Sequence, residues 1–254
     1  MTLFEAIILG TIQGLTEFLP ISSSGHLVLG QMILDVKIQG NEFEVVTHLG
    51  TLVSVLCIFW KEILSLILNI TDKNTREYIF YIILGTIPAA IIGLGAKSYI
   101  SELFDSVQLV SVALMVTGLI LFFSQKVKKN SLTIDANKAL LIGITQAIAI
   151  IPGISRSGIT ICTALALGMS GKNAAKFSFL LAIPVISGAG LLLALDSQSN
   201  ITLIPLTSLI MAFLSSFVVG YICLKWLLSL LVSGKFYFFG YYCFLIGLIV
   251  LLFF

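Results

Sequence analysis

Three ionisable side chains, Glu17, His26 and Arg156, lie among the most apolar stretches of this sequence. Each lies in or beside a run rich in serine, glycine and proline: Pro20-Ile-Ser-Ser-Ser-Gly-His26 in the first half, and Pro152-Gly-Ile-Ser-Arg-Ser-Gly158 in the second. Ionisable groups are costly in an apolar medium, and those that are kept default to function. Gln13 and Glu17 are four residues apart and so share a helix face. Pro20 stops that helix. Ser22, Ser23 and Ser24 follow, Gly25 supplies a flexible backbone, and a second helix begins near His26. One serine is explained by capping; three, with a carboxylate and an imidazole close by, are not. The second run is preceded by Gln146. Gly153, Ser155, Arg156, Ser157 and Gly158 lead into a helix from about Ile159. A helix N-terminus with free N–H groups attracts an anion, and arginine adds a planar fork suited to phosphate oxygens. Structural pairing of Arg156 with Glu17 is the plain alternative, and it is compatible with function.

Taken together, the two runs offer the groups of phosphoryl transfer. Arg156 and the N–H groups would neutralise the transferring oxygens. His26 or Ser23 is the nucleophile, with Glu17 or His26 as the base. The catalytic candidates are therefore Glu17, Ser23, His26 and Arg156. The phosphate-binding candidates are Gln13, Ser22, Ser24, Gly25, Gln146, Gly153, Ser155, Ser157 and Gly158. A site inside a membrane implies a substrate with a lipid tail. Glu44, Thr47 and His48, spaced i, i+3 and i+4, are either a second polar patch facing this site or an interfacial edge. Gly10-x-x-x-Gly14 fits close helix approach, and Tyr237, Tyr241 and Tyr242 fit an interfacial aromatic belt.

The elements that must carry these groups follow from composition. Of 254 residues, 58% are hydrophobic and only 10% charged, with a mean hydropathy of +1.11. Soluble domains carry about 25% charged residues, so lipid must be the solvent for most of this chain. The net charge of +2 is spread thinly, which excludes a nucleic-acid surface. Cys57, Cys162, Cys223 and Cys243 have no metal-ligand spacing and read as packed small hydrophobes. The first residues lack the basic region of a cleavable signal, so the first apolar stretch is expected in the mature fold. A spanning helix needs about 20 apolar residues. Such runs occur near 43–60, 78–95, 107–123, 177–195, 204–224 and 237–254. The stretches 2–34 and 139–168 are apolar but broken by the two polar runs. Broken backbone at membrane depth survives only inside protein or along a wet cavity, so both are expected to be re-entrant helix-loop-helix hairpins.

The expected fold is an all-α polytopic membrane protein with six transmembrane helices plus two re-entrant hairpins. With the 61–77 loop inside, Lys61, Lys73, Arg76, Lys126, Lys128, Lys129, Lys138, Lys172, Lys176, Lys225 and Lys235 fall inside, and only Lys37 and Lys97 outside. Eleven against two is the asymmetry of the positive-inside rule. It makes the Gln125–Asn130 segment a topology determinant and puts both termini outside. Gly10-Thr-Ile-Gln13 aligns with Gly143-Ile-Thr-Gln146, and at the same offset Ile21–Gly25 falls on Ile154–Gly158. The chain thus reads as one membrane domain of two repeats, about 1–125 and 139–254. Three spans between the copies invert the second relative to the first, so the hairpin tips would meet mid-membrane.

At these residues the sequence resembles the undecaprenyl-diphosphate phosphatase, or bacitracin-resistance, family. The matching runs are Gln13-Gly-Leu-Thr-Glu17-Phe-Leu-Pro20-Ile-Ser-Ser-Ser-Gly-His26 and Pro152-Gly-Ile-Ser-Arg-Ser-Gly158. Phe43-Glu-Val-Val-Thr-His-Leu-Gly50 and Phe177-Ser-Phe-Leu-Leu-Ala-Ile-Pro184 are further similar stretches. The resemblance implies a multi-pass enzyme of the bacterial plasma membrane that hydrolyses undecaprenyl diphosphate to the monophosphate and phosphate, recycling the carrier lipid for cell-wall synthesis. It also implies an outward-facing site, dependence on a divalent cation, Mg²⁺ or Ca²⁺, and catalytic positions at Glu17, Ser23, His26 and Arg156. Gln13 departs from the pattern, standing where other members often have a second Glu. A metal would then rely on Glu17, the Gln13 amide oxygen, water and substrate phosphates. The competing reading is a transporter or flippase of polyprenyl phosphate or a related amphiphilic anion, which needs the anion site but no nucleophile. The oligomeric state is open, a homodimer being one assembly it allows.

Overall fold

The protein is described by a computed structural model covering residues 1–36, 38, 42–95, 103, 106–124, 132–195, 204–233 and 235–253. Eleven helices account for nearly all of these residues, with no strand among them: α1 (Leu3–Phe18), α2 (Ser23–Ile33), α3 (Glu42–Ile58), α4 (Trp60–Leu68), α5 (Lys73–Gly95), α6 (Val107–Phe123), α7 (Ala136–Ile148), α8 (Arg156–Ala166), α9 (Gly171–Leu195), α10 (Leu206–Ser233) and α11 (Phe238–Phe253). The Gln125–Asn130 segment, Lys37 and Lys97 lie outside the described residues.

Both broken stretches are helix–loop–helix units. Thr2 and Glu5 start α1 with a reciprocal capping box, and α1 ends just before Pro20. Asp135 starts α7 by accepting the Lys138 N–H at 2.9 Å. The Lys138 ammonium, 2.7 Å away, hydrogen-bonds the Asp135 carboxylate and holds it below its ordinary range. The second helix of each unit begins alike. Ser22 Oγ accepts the Gly25 N–H and Ser155 Oγ the Gly158 N–H, at 3.3 and 3.0 Å. Two shared N-caps three residues from a glycine are what the aligned Ser-x-x-Gly pattern leads one to expect.

Three helices are long and apolar enough to cross a membrane alone: Lys73–Gly95, Gly171–Leu192 and Leu206–Leu231. Helices α3 and α4 would make a fourth as one span bent by 70°. The apolar helices α6 and α11 have 17 and 16 residues, short of the roughly 20 a bilayer core asks for. The 61–77 segment, expected as a loop, is largely helical. Helix α4 buries none of its residues and lays Trp60, Ile67 and Leu68 on the surface, while Lys73 and Arg76 sit in the first turn of α5.

Packing joins early elements to late ones. Helix α1 lies along α10, α7 along α5, and α6 along α11. Lipid supplies no hydrophobic drive between helices, so close backbone approach must hold them. A Cβ at Gly10 would stand 2.4 Å from the Ala212 carbonyl oxygen, and one at Gly143 would stand 2.4 Å from that of Gly85. The Gly10/Gly14 pair is therefore a packing surface, as its spacing suggested. Phe18, Phe177 and Phe179 form the buried centre, with Phe18 set edge-on to Phe179 at 5.6 Å. Phe80, Ile83, Ile87 and Ile91 are exposed along α5, as a lipid-facing wall requires.

Candidate active site

The two loops touch. Gly153 N–H donates to Ser22 Oγ at 3.1 Å, and Ser157 Oγ donates to the Leu19 carbonyl at 3.4 Å. Backbone shape makes this fit. Gly153 has φ +98°, and a Cβ there would lie 2.6 Å from the Val110 carbonyl oxygen. Ser22 holds φ 69°, a strained setting for a residue with a side chain. Thr117 of α6 pins the second loop from below, donating to the Gly153 carbonyl at 2.8 Å and accepting the Ser155 N–H at 3.0 Å. A lone threonine in an apolar helix carried no sequence signal of this role.

Glu17 is the hub. It is 7% exposed, and both of its oxygens are engaged. Oε1 accepts from Arg156 Nη2 at 2.5 Å. Oε2 accepts from Ser23 Oγ at 2.7 Å and from Gln13 Nε2 at 2.9 Å. The Glu17–Arg156 pairing read from sequence is thus present, and it spans the two hairpins. It consumes only one end of the guanidinium: Arg156 Nη1 has no partner among the described residues.

A cavity of about 580 Å³ opens on this hub. Seven of the candidates line it: Glu17, Ser22, Ser23, Ser24, Gln146, Ser155 and Arg156. The other six do not. Gln13 is fully buried behind Glu17 and holds it. Gly25 packs on Gly153, and Gly158 on Pro20. Gly153 and Ser157 join the loops to each other.

His26 is turned away from the cavity. Its Nδ1 donates to the Ser22 carbonyl at 2.8 Å, and its Nε2 meets the Tyr242 hydroxyl at 2.9 Å, with the two rings stacked. One ring nitrogen is committed to the start of its own helix and the other to Tyr242 of α11, so Tyr242 is a histidine partner as well as a surface aromatic. The imidazole at the cavity belongs to His48. Its Nδ1 donates to the Glu44 carbonyl at 2.7 Å, which turns Nε2 to within 3.4 Å of Glu17 Oε2. Glu44 also lines the cavity. Thr47, the third member of that pattern, is buried off the cavity; its hydroxyl donates to the Glu44 carbonyl and its own carbonyl accepts from Ser216 Oγ of α10 at 2.7 Å. Of the two readings of the Glu44/Thr47/His48 patch, the structure therefore has Glu44 and His48 facing the site.

The oxygens of Glu17 expected to take a metal ion already accept hydrogen bonds from Arg156, Ser23 and Gln13. Gln13 turns its N–H end to Glu17 as a donor–acceptor pair, while its Oε1 has no partner among the described residues. Arg156 also donates to Oε1 and Ser23 to Oε2 of Glu17, with His48 Nε2 3.4 Å from Oε2. No group of three His, Cys, Asp or Glu side chains converges among the described residues. What remains is an alcohol, Ser23, hydrogen-bonded to a buried carboxylate. Beside it lie an arginine with a free end and the positive N-terminal ends of α2 and α8. That arrangement activates an oxygen nucleophile against a polyanion.

Comparison with known proteins agrees with this chemistry. The family model for the bacitracin resistance protein BacA matches residues 6–249. The chain belongs to that family. It is similar to an undecaprenyl-diphosphatase of Halothermothrix orenii, 41% identical over 99% of this chain and 98% of the relative. It is likewise similar to one of Carboxydothermus hydrogenoformans, at 41% over 99% and 97%. A third undecaprenyl-diphosphatase, from Korarchaeum cryptofilum, is 39% identical over 99% of both chains. The similarity runs end to end, so it covers both hairpins and the helices that hold them.

Proposed function

We propose that this protein hydrolyses undecaprenyl diphosphate to undecaprenyl phosphate and phosphate. The observation that carries the reading is the Ser23 hydroxyl directed at Glu17, 2.7 Å away, on the wall of a cavity that also holds Arg156. The family membership and the names of the relatives support the same activity. Ser23, with His26 held off the cavity, is the nucleophile.

Arg156 Nη1 and the N-termini of α2 and α8 would hold the terminal phosphoryl oxygens. As Ser23 Oγ bonds to the terminal phosphorus, its proton passes to Glu17 Oε2. The bond from phosphorus to the bridging oxygen breaks, and its electron pair stays with the lipid phosphate, which takes the proton from Glu17. Water then attacks the phosphoserine, giving a proton to Glu17. The phosphorus–Oγ bond breaks and Ser23 recovers that proton. No step runs through a metal ion.

The membrane arrangement belongs to the same proposal: six spans, two re-entrant hairpins, inverted repeats of about 1–125 and 139–254, both termini and the cavity outside, in the plasma membrane. The basic-residue asymmetry supports it. So does a hollow of about 400 Å³ lined by Asn74, Glu77, Thr133, Asn173 and Lys176, which gathers segments expected on the inner side. The test is phosphate release by purified protein from a polyprenyl diphosphate. Ser23→Ala is expected to abolish it, and acid-quenched wild type to carry phosphate on Ser23. Phosphate trapped on His26, or labelled lipid moved between leaflets with no phosphate released, would overturn the proposal; the second outcome is the transporter reading.

A further inference from the structure

Gln146 stands on the second hairpin where Gln13 stands on the first, but the two amides have different neighbours. Gln13 donates to the carboxylate one turn on, Glu17. One turn on from Gln146 is Ile150, which offers nothing. Both polar atoms of Gln146, Nε2 and Oε1, have no hydrogen-bond partner among the described residues, and the residue is 2% exposed. Native interiors rarely leave a side-chain amide wholly unpaired, least of all in a membrane. Gln146 also lines the cavity shared by Ser23 and Arg156.

Its place on that wall is informative. One turn earlier, Gly143 packs against Gly85 of α5, so the amide sits near the α5 side of the cavity. The same lining includes a small apolar set, Ala89, Ala90 and Gly93 of α5 with Gly188 and Ala189 of α9. A Cβ at Gly93 or Gly188 would meet open space. One cavity thus combines the polar side chains of Arg156, Ser23 and Gln146 with a small apolar lining suited to an isoprenoid chain. A prenyl diphosphate carries one group between its terminal phosphate and its apolar chain, the phosphate joined to the lipid.

We infer that Gln146 holds the lipid-side phosphate while Arg156 holds the terminal one, which makes the site select a prenyl diphosphate by its second phosphate. The inference rests on the phosphatase reading. Nε2 donates to a non-bridging oxygen. Oε1 accepts from the P–O–H that forms when the departing lipid phosphate takes up its proton. A carboxamide suits both duties because it carries a donor and an acceptor on one planar group.

The experiment compares two inhibitors of phosphate release, farnesyl monophosphate and inorganic phosphate, on wild type and Gln146→Leu. A lost hydrogen bond to a charged group is expected to raise the inhibition constant for the monophosphate about 10- to 100-fold. The constant for inorganic phosphate should stay within about twofold, since the terminal subsite is untouched. Thermal stability should hold or rise, because no hydrogen bond within the protein is lost. Gln146→Asn, which keeps the amide but shortens its reach, should show the same selective loss and serves if the leucine variant does not fold. Equal weakening of both inhibitors, weakening of neither, or a fall in stability matching the fall in activity would overturn the assignment. A wild type that releases no phosphate counts against the phosphatase reading alone. Thermal-shift binding of farnesyl monophosphate to wild type and variant then still tests Gln146, with loss of binding only in the variant as the expected result.

Discussion

Glu17→Gln separates the two duties assigned to Glu17. The substitution keeps the shape and removes the charge. Ser23 loses its base, and general-base catalysis is worth about 10²- to 10⁴-fold, so kcat should fall by at least that range with a smaller change in KM. Arg156 loses its anion. Its side chain is 17% exposed against 5% for Glu17. Breaking a buried pair by removing one partner costs about 3–5 kcal/mol, and the adjoining cavity places this one toward the lower end. Denaturation in detergent should therefore show about 3 kcal/mol lost in Glu17→Gln. Adding Arg156→Met to that variant should recover most of the stability and none of the activity. The coupling in the double-mutant cycle measures the pair. Two results would refute the reasoning: phosphate release within threefold of wild type in Glu17→Gln, or stability losses that simply add in the double variant.

Three further predictions follow from the geometry. His26→Phe should retain phosphate release within about tenfold, while His48→Phe, which removes a neighbour of Glu17, should cost more; kinetics of the two variants in the reverse order would give His26 a catalytic role. Gly143→Ala puts a methyl 2.4 Å from the Gly85 carbonyl oxygen and should lower stability by about 1–3 kcal/mol or more, seen as an earlier thermal transition; an unchanged transition would mean that α5 and α7 are not in close contact. Calorimetry on substrate-free protein should detect no Mg²⁺ or Ca²⁺ site, whereas Gln13→Glu, which sets a second carboxylate against Glu17, should create one; stoichiometric binding to wild type would show that the Glu17 hub opens for a metal.

Much of this was legible in the chain because polar residues in an apolar sequence are conspicuous. Pro20, the serines and Arg156 marked both hairpins, and the matched Ser-x-x-Gly caps appear where the alignment placed them. Helix α4 was hidden because Lys61 and Glu62 directly follow a span and read as the start of a loop, although Trp60, Ile67 and Leu68 give it an apolar face. The choice between the two histidines was hidden for a different reason. His26 lies three residues from Ser23 in sequence, but its ring is drawn off by the Ser22 carbonyl and Tyr242, a residue 216 positions away. His48 reaches Glu17 only because α3 packs beside α1. The direction of the Gln13 amide depends on which neighbour is charged, and Thr117 acts through one loop 36 residues later. Contacts at such separations are set by tertiary packing, which local spacing does not encode.

The bond between Glu17 and Arg156 joins residues 139 positions apart, and this bears on how the chain is made. A ribosome adding about 5–20 residues per second needs roughly 7–28 s to deliver the arginine after the glutamate has emerged. The helix that packs along α1 arrives later still, at Leu206–Ser233. Until Arg156 is added, of the partners of Glu17, only Gln13, Ser23 and His48 have been made, and the guanidinium that pairs with Oε1 is missing. The contact between the two loops can therefore close only after the second half of the chain has been made. The site is thus completed late in synthesis, and chains cut short before Arg156 should lack its charge balance and be degraded faster than the full chain.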